Sequence, residues 1–129
     1  MKKHIFSIVI VMCISCSSQN NLIPSVGFGK TIIGKKKPKK IDAGIEIKLE
    51  NNLIKSIVIS NQLYRTKDGL KIGSTFDEVK KAYGEAELKT IPLKKGNVVI
   101  GEVGKILPYK GIGFLDTNSD KIVDLIIIE

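Results

Sequence analysis

Two stretches of the chain share one pattern, and that pattern dictates a sheet. Gly44-Ile45-Glu46-Ile47-Lys48-Leu49-Glu50 runs through Asn51-Asn52 into Ile54-Lys55-Ser56-Ile57-Val58-Ile59. Gly111-Ile112-Gly113-Phe114-Leu115-Asp116 runs through a polar stretch into Lys121-Ile122-Val123-Asp124-Leu125-Ile126-Ile127-Ile128. Each unit opens on Gly-Ile, turns at Asn or Asp, and returns through a β-branched run. Alternation at Ile45, Ile47 and Leu49, and at Ile57 and Ile59, turns one apolar face inward, because successive strand side chains point to opposite faces. Asn and Asp tolerate left-handed backbone and bond to their own amides, so both units read as hairpins. Leu125–Ile128 is apolar on both faces, the pattern of a central strand or of one covered on both sides.

Between the units, Ser74 precedes Phe76, Val79 and Tyr83, which recur on one helical face. Ser74 is a natural N-cap, with Asp77 three residues on. Asp77 and Glu78 then fall in the first turn and Lys80 and Lys81 in the last, complementing the helix dipole. Gly84 supplies the stop. The spacing predicts one helix of about ten residues. Asn97–Ile100 and Lys105–Tyr109 are further strand candidates, separated by Gly101 and Gly104. The whole reads as α+β: a mostly antiparallel sheet built from two degenerate hairpin repeats, with one short helix packed on it.

The first residues belong to a different register. Met1-Lys2-Lys3-His4 is basic, Ile5–Ile14 is almost wholly apolar, and Ser15-Cys16-Ser17-Ser18 follows. An apolar run this short does not cross a bilayer core, which takes about 20 helical residues. It matches the hydrophobic region of an export signal. With a small residue before the cysteine, the segment resembles a bacterial lipoprotein signal. That resemblance implies that Cys16 carries a thioether-linked diacylglycerol and becomes the first mature residue. The organisation expected is a signal peptide at 1–15, a lipidated tether at 16–25 and a single α+β domain at 26–129. Residues 17–20 carry no charge, which by the same resemblance favours the outer over the inner membrane.

Removing the leader decides what chemistry remains. The mature chain keeps 19 basic against 13 acidic side chains, a net charge of +6, and has no His, Met or Trp. Cys13 leaves with the leader and Cys16 is committed to lipid, so no disulfide can form. The commonest general base, the commonest transition-metal ligand and the thiol nucleophile are all absent. A catalytic site would need Asp, Glu, Lys, Ser or Tyr, and no Ser-x-x-Lys spacing opens a helix. No cofactor is expected.

The segment Gly69-Leu70-Lys71-Ile72-Gly73-Ser74-Thr75-Phe76-Asp77-Glu78-Val79 through Tyr83-Gly84, then Leu107-Pro108-Tyr109, then Gly111-Ile112-Gly113-Phe114 and a hairpin, resembles small bacterial lipoproteins with an α/β repeat. The BamE/SmpA–OmlA group and the β-lactamase-inhibitor-protein-like folds share that plan, and several spirochaetal lipoproteins are similar. The match is best over 68–129. It implies protein binding without chemistry, an implication carried by analogy of fold.

Four other features bear on function. Gly29-Lys30-Thr31 echoes a phosphate-binding loop, but Pro24 stands where the first glycine belongs and no helix follows, so it is set aside. Asp116, Asn118 and Asp120 hold the first three ligand positions of a calcium loop; Lys121 and Ile127 stand where Gly and a bidentate Glu are required, leaving a weak metal candidate. Lys35, Lys36, Lys37, Lys39 and Lys40 form a basic run around Pro38, suited to an anionic surface such as lipid headgroups. No aromatics interleave with it, and with export this argues against nucleic acid. Tyr64 and Arg65 pair two residue types enriched at protein interfaces, a possible protein contact.

The expected function is a lipid-anchored envelope binding module, held to a membrane by its N-terminal lipid and engaging an envelope protein without catalysis. Two other readings stay open: an envelope enzyme inhibitor or Ser/Lys-type hydrolase, and a structural envelope lipoprotein that contacts anionic lipid through its lysine-rich loop. The oligomeric state is left open.

Overall fold

The Asn51-Asn52 turn fixes the register of the first hairpin. Both residues take positive φ, 54° and 65°, the two left-handed positions of a two-residue turn that matches strand twist. Strands β4 (Ile45–Glu50) and β5 (Leu53–Ile59) close around it, with a register shift at Lys48/Leu49. A computed structural model of the chain describes residues 20–129. The leader at 1–15 and Cys16 lie outside the described residues.

In chain order the other elements are β1 (Asn21–Leu22), β2 (Gly27–Phe28), β3 (Thr31–Ile32), β6 (Arg65–Thr66), the helix α1 (Phe76–Tyr83), β7 (Lys89–Lys95), β8 (Val98–Tyr109), β9 (Ile112–Asp116) and β10 (Leu125–Ile128). Six strands form one antiparallel sheet in the order β4-β5-β10-β9-β8-β7. The sheet curls into a half-barrel, and the fold is mostly antiparallel sheet with one short helix. Strand β10 is central, as its two-sided apolarity predicts: Ile126 and Ile128 are fully buried and Leu125 and Ile127 half-buried.

Strands β4 and β5 pair antiparallel, as do β9 and β10, and the two pairs lie side by side through the β5–β10 pairing. The sheet is not these two alone. Strands β7 and β8 belong to neither unit and complete it on the far edge. Asn97–Ile100 and Lys105–Tyr109, expected as separate strands, are one continuous twelve-residue strand. Gly104 does not break it. A Cβ there would stand 2.4 Å from the Asp116 carbonyl oxygen, so the glycine admits the end of β9 against an unbroken strand.

Helix α1 starts one residue later than Ser74 suggests and spans eight residues. Ser74 Oγ instead accepts from the Lys71 amide at 3.0 Å, closing the preceding turn. Thr75 is the N-cap, in extended backbone, and Glu78 completes the capping box with it. Phe76 and Val79 face the core. Tyr83 stacks between Tyr109 and Phe114, with ring centroids at 5.2 and 5.7 Å. Gly84 ends the helix at φ 95°, its amide donating to the Lys80 carbonyl.

Residues 21–25, expected in the tether, pack on the domain. Leu22 is 2 % exposed within the core. Strand β1 pairs in parallel with β6, Asn21 beside Arg65 and Leu22 beside Thr66, and the Ser25 amide donates to the Gly111 carbonyl at 3.0 Å. Burying one leucine contributes about 1.5–3 kcal/mol, enough to hold this segment on the domain.

Candidate functional site

The β2–β3 turn, the lysine-rich loop and the start of β4 enclose a groove of about 980 Å³. Its floor is Phe28, Ile45 and Tyr64, and its walls carry Lys30, Lys39 and Lys40. Asn20, the first described residue, also lines it. The basic run is therefore divided. Lys39 and Lys40 line the groove, joined by Lys30 from the turn. Lys35, Lys36 and Lys37 are exposed outside it. Lys35 is tied to the sheet by its backbone, its carbonyl accepting from Ile54 and its amide donating to Ile32. Among the described residues, the ion pairs are Lys55–Glu50 and Lys80–Glu85, so these lysines are paired to no carboxylate. Gly29 and Lys30 form the tight β2–β3 turn, with Gly29 at φ 50°, and no helix follows that could cradle a phosphate.

Tyr64 and Arg65 part company. Tyr64 is 5 % exposed. Its ring packs on Phe28 with centroids 4.6 Å apart, and its hydroxyl donates to Asp42 Oδ2. Burial, then the Asp42 hydrogen bond and charge, push the hydroxyl up to about 12. Tyr64 is a groove-floor and core residue whose hydroxyl clamps the loop through Asp42, not a free interface anchor. Arg65 is exposed, and its amide donates to the Asn20 carbonyl at 3.1 Å. It holds the entering chain by backbone.

The calcium-loop candidates form a hydrogen-bonded turn that leaves one oxygen, Asp124 Oδ1, buried without a hydrogen-bond partner. Asp116 is buried; its Oδ1 accepts from the Asn118 amide at 2.9 Å and its Oδ2 from the Lys121 amide at 2.8 Å. Asp120 Oδ1 accepts from the Ile122 amide, and Asp124 Oδ2 accepts from Thr117 and Asn118. Among the described residues no group of His, Cys, Asp or Glu is arranged to hold a metal ion. Burial pushes the Asp116 carboxyl up, but hydrogen bonds from Lys121, Asn118 and Asp120 outweigh it and hold the group below the ordinary carboxylate value. A depressed folded-state value makes the unfolded chain the better proton binder in acid. The stability Asp116 contributes is therefore complete above the ordinary carboxylate range and lost as pH falls through the folded-state value. Melting temperature against pH checks this. Asp116→Asn is expected to cost about 1–3 kcal/mol at neutral pH and to flatten the acid limb; limbs of equal slope would remove Asp116 from the account.

Two features were missed in the sequence. One is the groove itself, which depends on Asn20, Lys30 and Lys39 meeting from three separate segments; no local pattern carries that. The other is strand β7 and its pairing with the outer part of β8, where Val98, Val99 and Ile100, expected only as part of a strand, lie exposed. Strand β7 has no strand signal of its own, since Pro92 and the neighbouring lysines interrupt its pattern, though a proline is tolerated on an edge strand. Among the described residues no helix is long and apolar enough to cross a membrane. No protein-family model, curated protein or solved structure matches this chain.

Proposed function

We propose that the protein is a lipid-anchored, non-catalytic envelope module, attached through Cys16 and held against an anionic membrane surface by its basic groove. The observation that carries this is Asn20 lining the same groove as Lys30, Lys39 and Lys40. Cys16 precedes Asn20 by four residues, and four residues span at most about 14 Å. A lipid on Cys16 would therefore bring headgroup phosphates within reach of those lysines. Each lysine near such a surface contributes about 1 kcal/mol, weakened by salt. The opposite end of the sheet, with the β8–β9 turn, faces away from the bilayer and is open to an envelope protein. On this reading the two Gly-Ile hairpin units are degenerate copies of one unit, doubled to build the sheet.

The test uses the mature protein reconstituted in vesicles. Acylation by an aqueous amine reagent is expected to be about fivefold slower at Lys39 and Lys40 in phosphatidylglycerol-containing vesicles than in phosphatidylcholine alone. Added salt removes the difference. Lys110, in the β8–β9 turn at the opposite end of the sheet, reacts equally in both. Equal rates at Lys39 and Lys40 would discard the groove reading. Mass spectrometry of the same sample reads the N-terminus, and an unmodified Cys16 would discard the anchor.

A further inference from the structure

The sheet does not end evenly. Strand β8 pairs with β9 only from Lys105 to Tyr109. From Val98 to Gly104 it continues past the end of β9, paired with β7 alone. At about 3.4 Å per residue, this ribbon projects about 20 Å beyond the sheet. Its side chains do not suit open water. Val98, Val99 and Ile100 are 64, 59 and 57 % exposed, and Leu93, across from Gly101, is 45 % exposed. Consecutive residues of a strand face opposite ways, so the apolar side chains stand on both faces of the ribbon. Lys94 sits across from Val99 and Lys95 across from Val98.

Its direction follows from the pairing register. Ile45, Ile59, Ile126, Phe114 and Leu107 are successive partners and form one row across the sheet. Strands β4 and β8 run the same way through that row. The chain before Ile45, which carries Lys39, Lys40 and Asp42, and the ribbon before Lys105 therefore leave the sheet at the same end. Asn20 stands at that end too, in the groove beside Ile45 and Asp42. Four strand spacings separate β4 from β8, at most about 19 Å.

We infer that the β7–β8 ribbon is a second membrane contact, inserting Val98, Val99, Ile100 and Leu93 shallowly into the headgroup–acyl boundary of an anionic bilayer while Lys94 and Lys95 reach its phosphates. The inference rests on the anchored reading above and adds an orientation to it. Three observations favour lipid over other occupants. A protein partner covers one face of a ribbon, whereas lipid surrounds both, and here both are apolar. The projecting ribbon carries Lys94 and Lys95 against one acid, Glu102, with Lys89 and Lys105 flanking its base, a net positive charge complementary to lipid phosphate. Edge pairing with a second copy is opposed on β7 by Pro92, which has no amide to donate, by three lysines and by two register shifts. Depth is limited as well. The outer edge of β8 beyond β9 has backbone groups with no strand beside them, and such groups are not tolerated in the hydrocarbon core. The boundary region supplies them with water, and lysine stems can lie along the valines there.

The test places a polarity-sensitive fluorophore on Val99→Cys in the mature lipidated protein, whose own cysteine is blocked by lipid, with Lys110→Cys as the comparison. Both sites are exposed, so the labels leave the core intact. In phosphatidylethanolamine–phosphatidylglycerol vesicles the label at 99 is expected to shift to the blue. It should be quenched more by lipids brominated near the headgroup than by those brominated at the chain end, while the label at 110 stays aqueous. Val98→Asp added to the labelled protein is expected to abolish the shift. If the protein floats with vesicles but residue 99 behaves like residue 110, the ribbon inference is wrong and the anchor stands. If the protein does not float, both fail.

Discussion

Phe114→Ala is expected to lower stability by about 3–5 kcal/mol, visible as a fall in melting temperature of at least about 10 °C. Phe114 has no exposed surface and lies in the row where Ile126 and Leu107 flank it. Its ring meets Tyr83 of α1 at 5.7 Å and Tyr109 of β8 at 6.2 Å, so one side chain joins the helix, the central sheet and the strand that carries the ribbon. Truncation removes its transfer free energy and leaves a cavity bounded by paired strands that cannot collapse together. Phe114→Leu refills most of that volume and is expected to cost less than half as much. Val98→Ala on the exposed ribbon should stay within about 0.5 kcal/mol. Denaturant unfolding of the three variants checks the order. A Phe114→Ala loss no larger than that of Val98→Ala would mean the core is not centred where the packing puts it.

What the sequence disclosed about this fold follows the range of its signals. The β4–β5 hairpin was legible because its determinants are adjacent: alternating isoleucines and two asparagines able to take positive φ. Strand β10 was legible from its two-sided apolarity. The helix was legible to within one residue; Ser74 and Thr75 are both competent caps, and the choice depended on Ser74 closing a turn with Lys71. The β1–β6 pairing was not legible, because two-residue strands have no periodicity and parallel partners need no turn between them. Strand β7 was hidden by the devices that protect an edge, since Pro92 and lysines are also what a loop contains. The candidate groove was legible only in part. The lysine run announced positive charge, but not that Lys39 and Lys40 line a groove while Lys35, Lys36 and Lys37 do not, nor that Lys30 joins them. Tyr64 shows the limit most plainly: composition suggests an interface, whereas its Phe28 and Asp42 contacts assign it to the groove floor. Such contacts exist only once the chain is folded.

Gly27→Ala is expected to destabilise the protein by about 2–5 kcal/mol, combining left-handed strain with overpacking. The cost falls on the groove first. Gly27 has φ 122°, and a Cβ there would stand 2.1 Å from the Thr31 carbonyl oxygen and 3.2 Å from Ile57 Cδ1. The nearest obstacle is backbone, so no rotamer change relieves it; the β2–β3 hairpin must shift. That hairpin carries Phe28, which packs on Tyr64, and Lys30, which lines the groove. Its other side is pinned by Gly27 and Ile23 exchanging backbone hydrogen bonds at 2.8 and 2.9 Å. Amide exchange at Ile23 and Gly27 is therefore expected to rise by more than at Ile57 or Ile126, which lie in the sheet beneath. Gly34 supplies the comparison: it has φ 84° but nothing within 4 Å of a built Cβ, so Gly34→Ala should cost only the left-handed penalty, about 1–2 kcal/mol. Equal losses at the two positions would show that strain alone governs both and that the Thr31 contact is relieved without moving the hairpin. Unequal losses, with exchange concentrated at Ile23 and Gly27, would identify β2–β3 as the element that holds the groove lysines beside the entering chain.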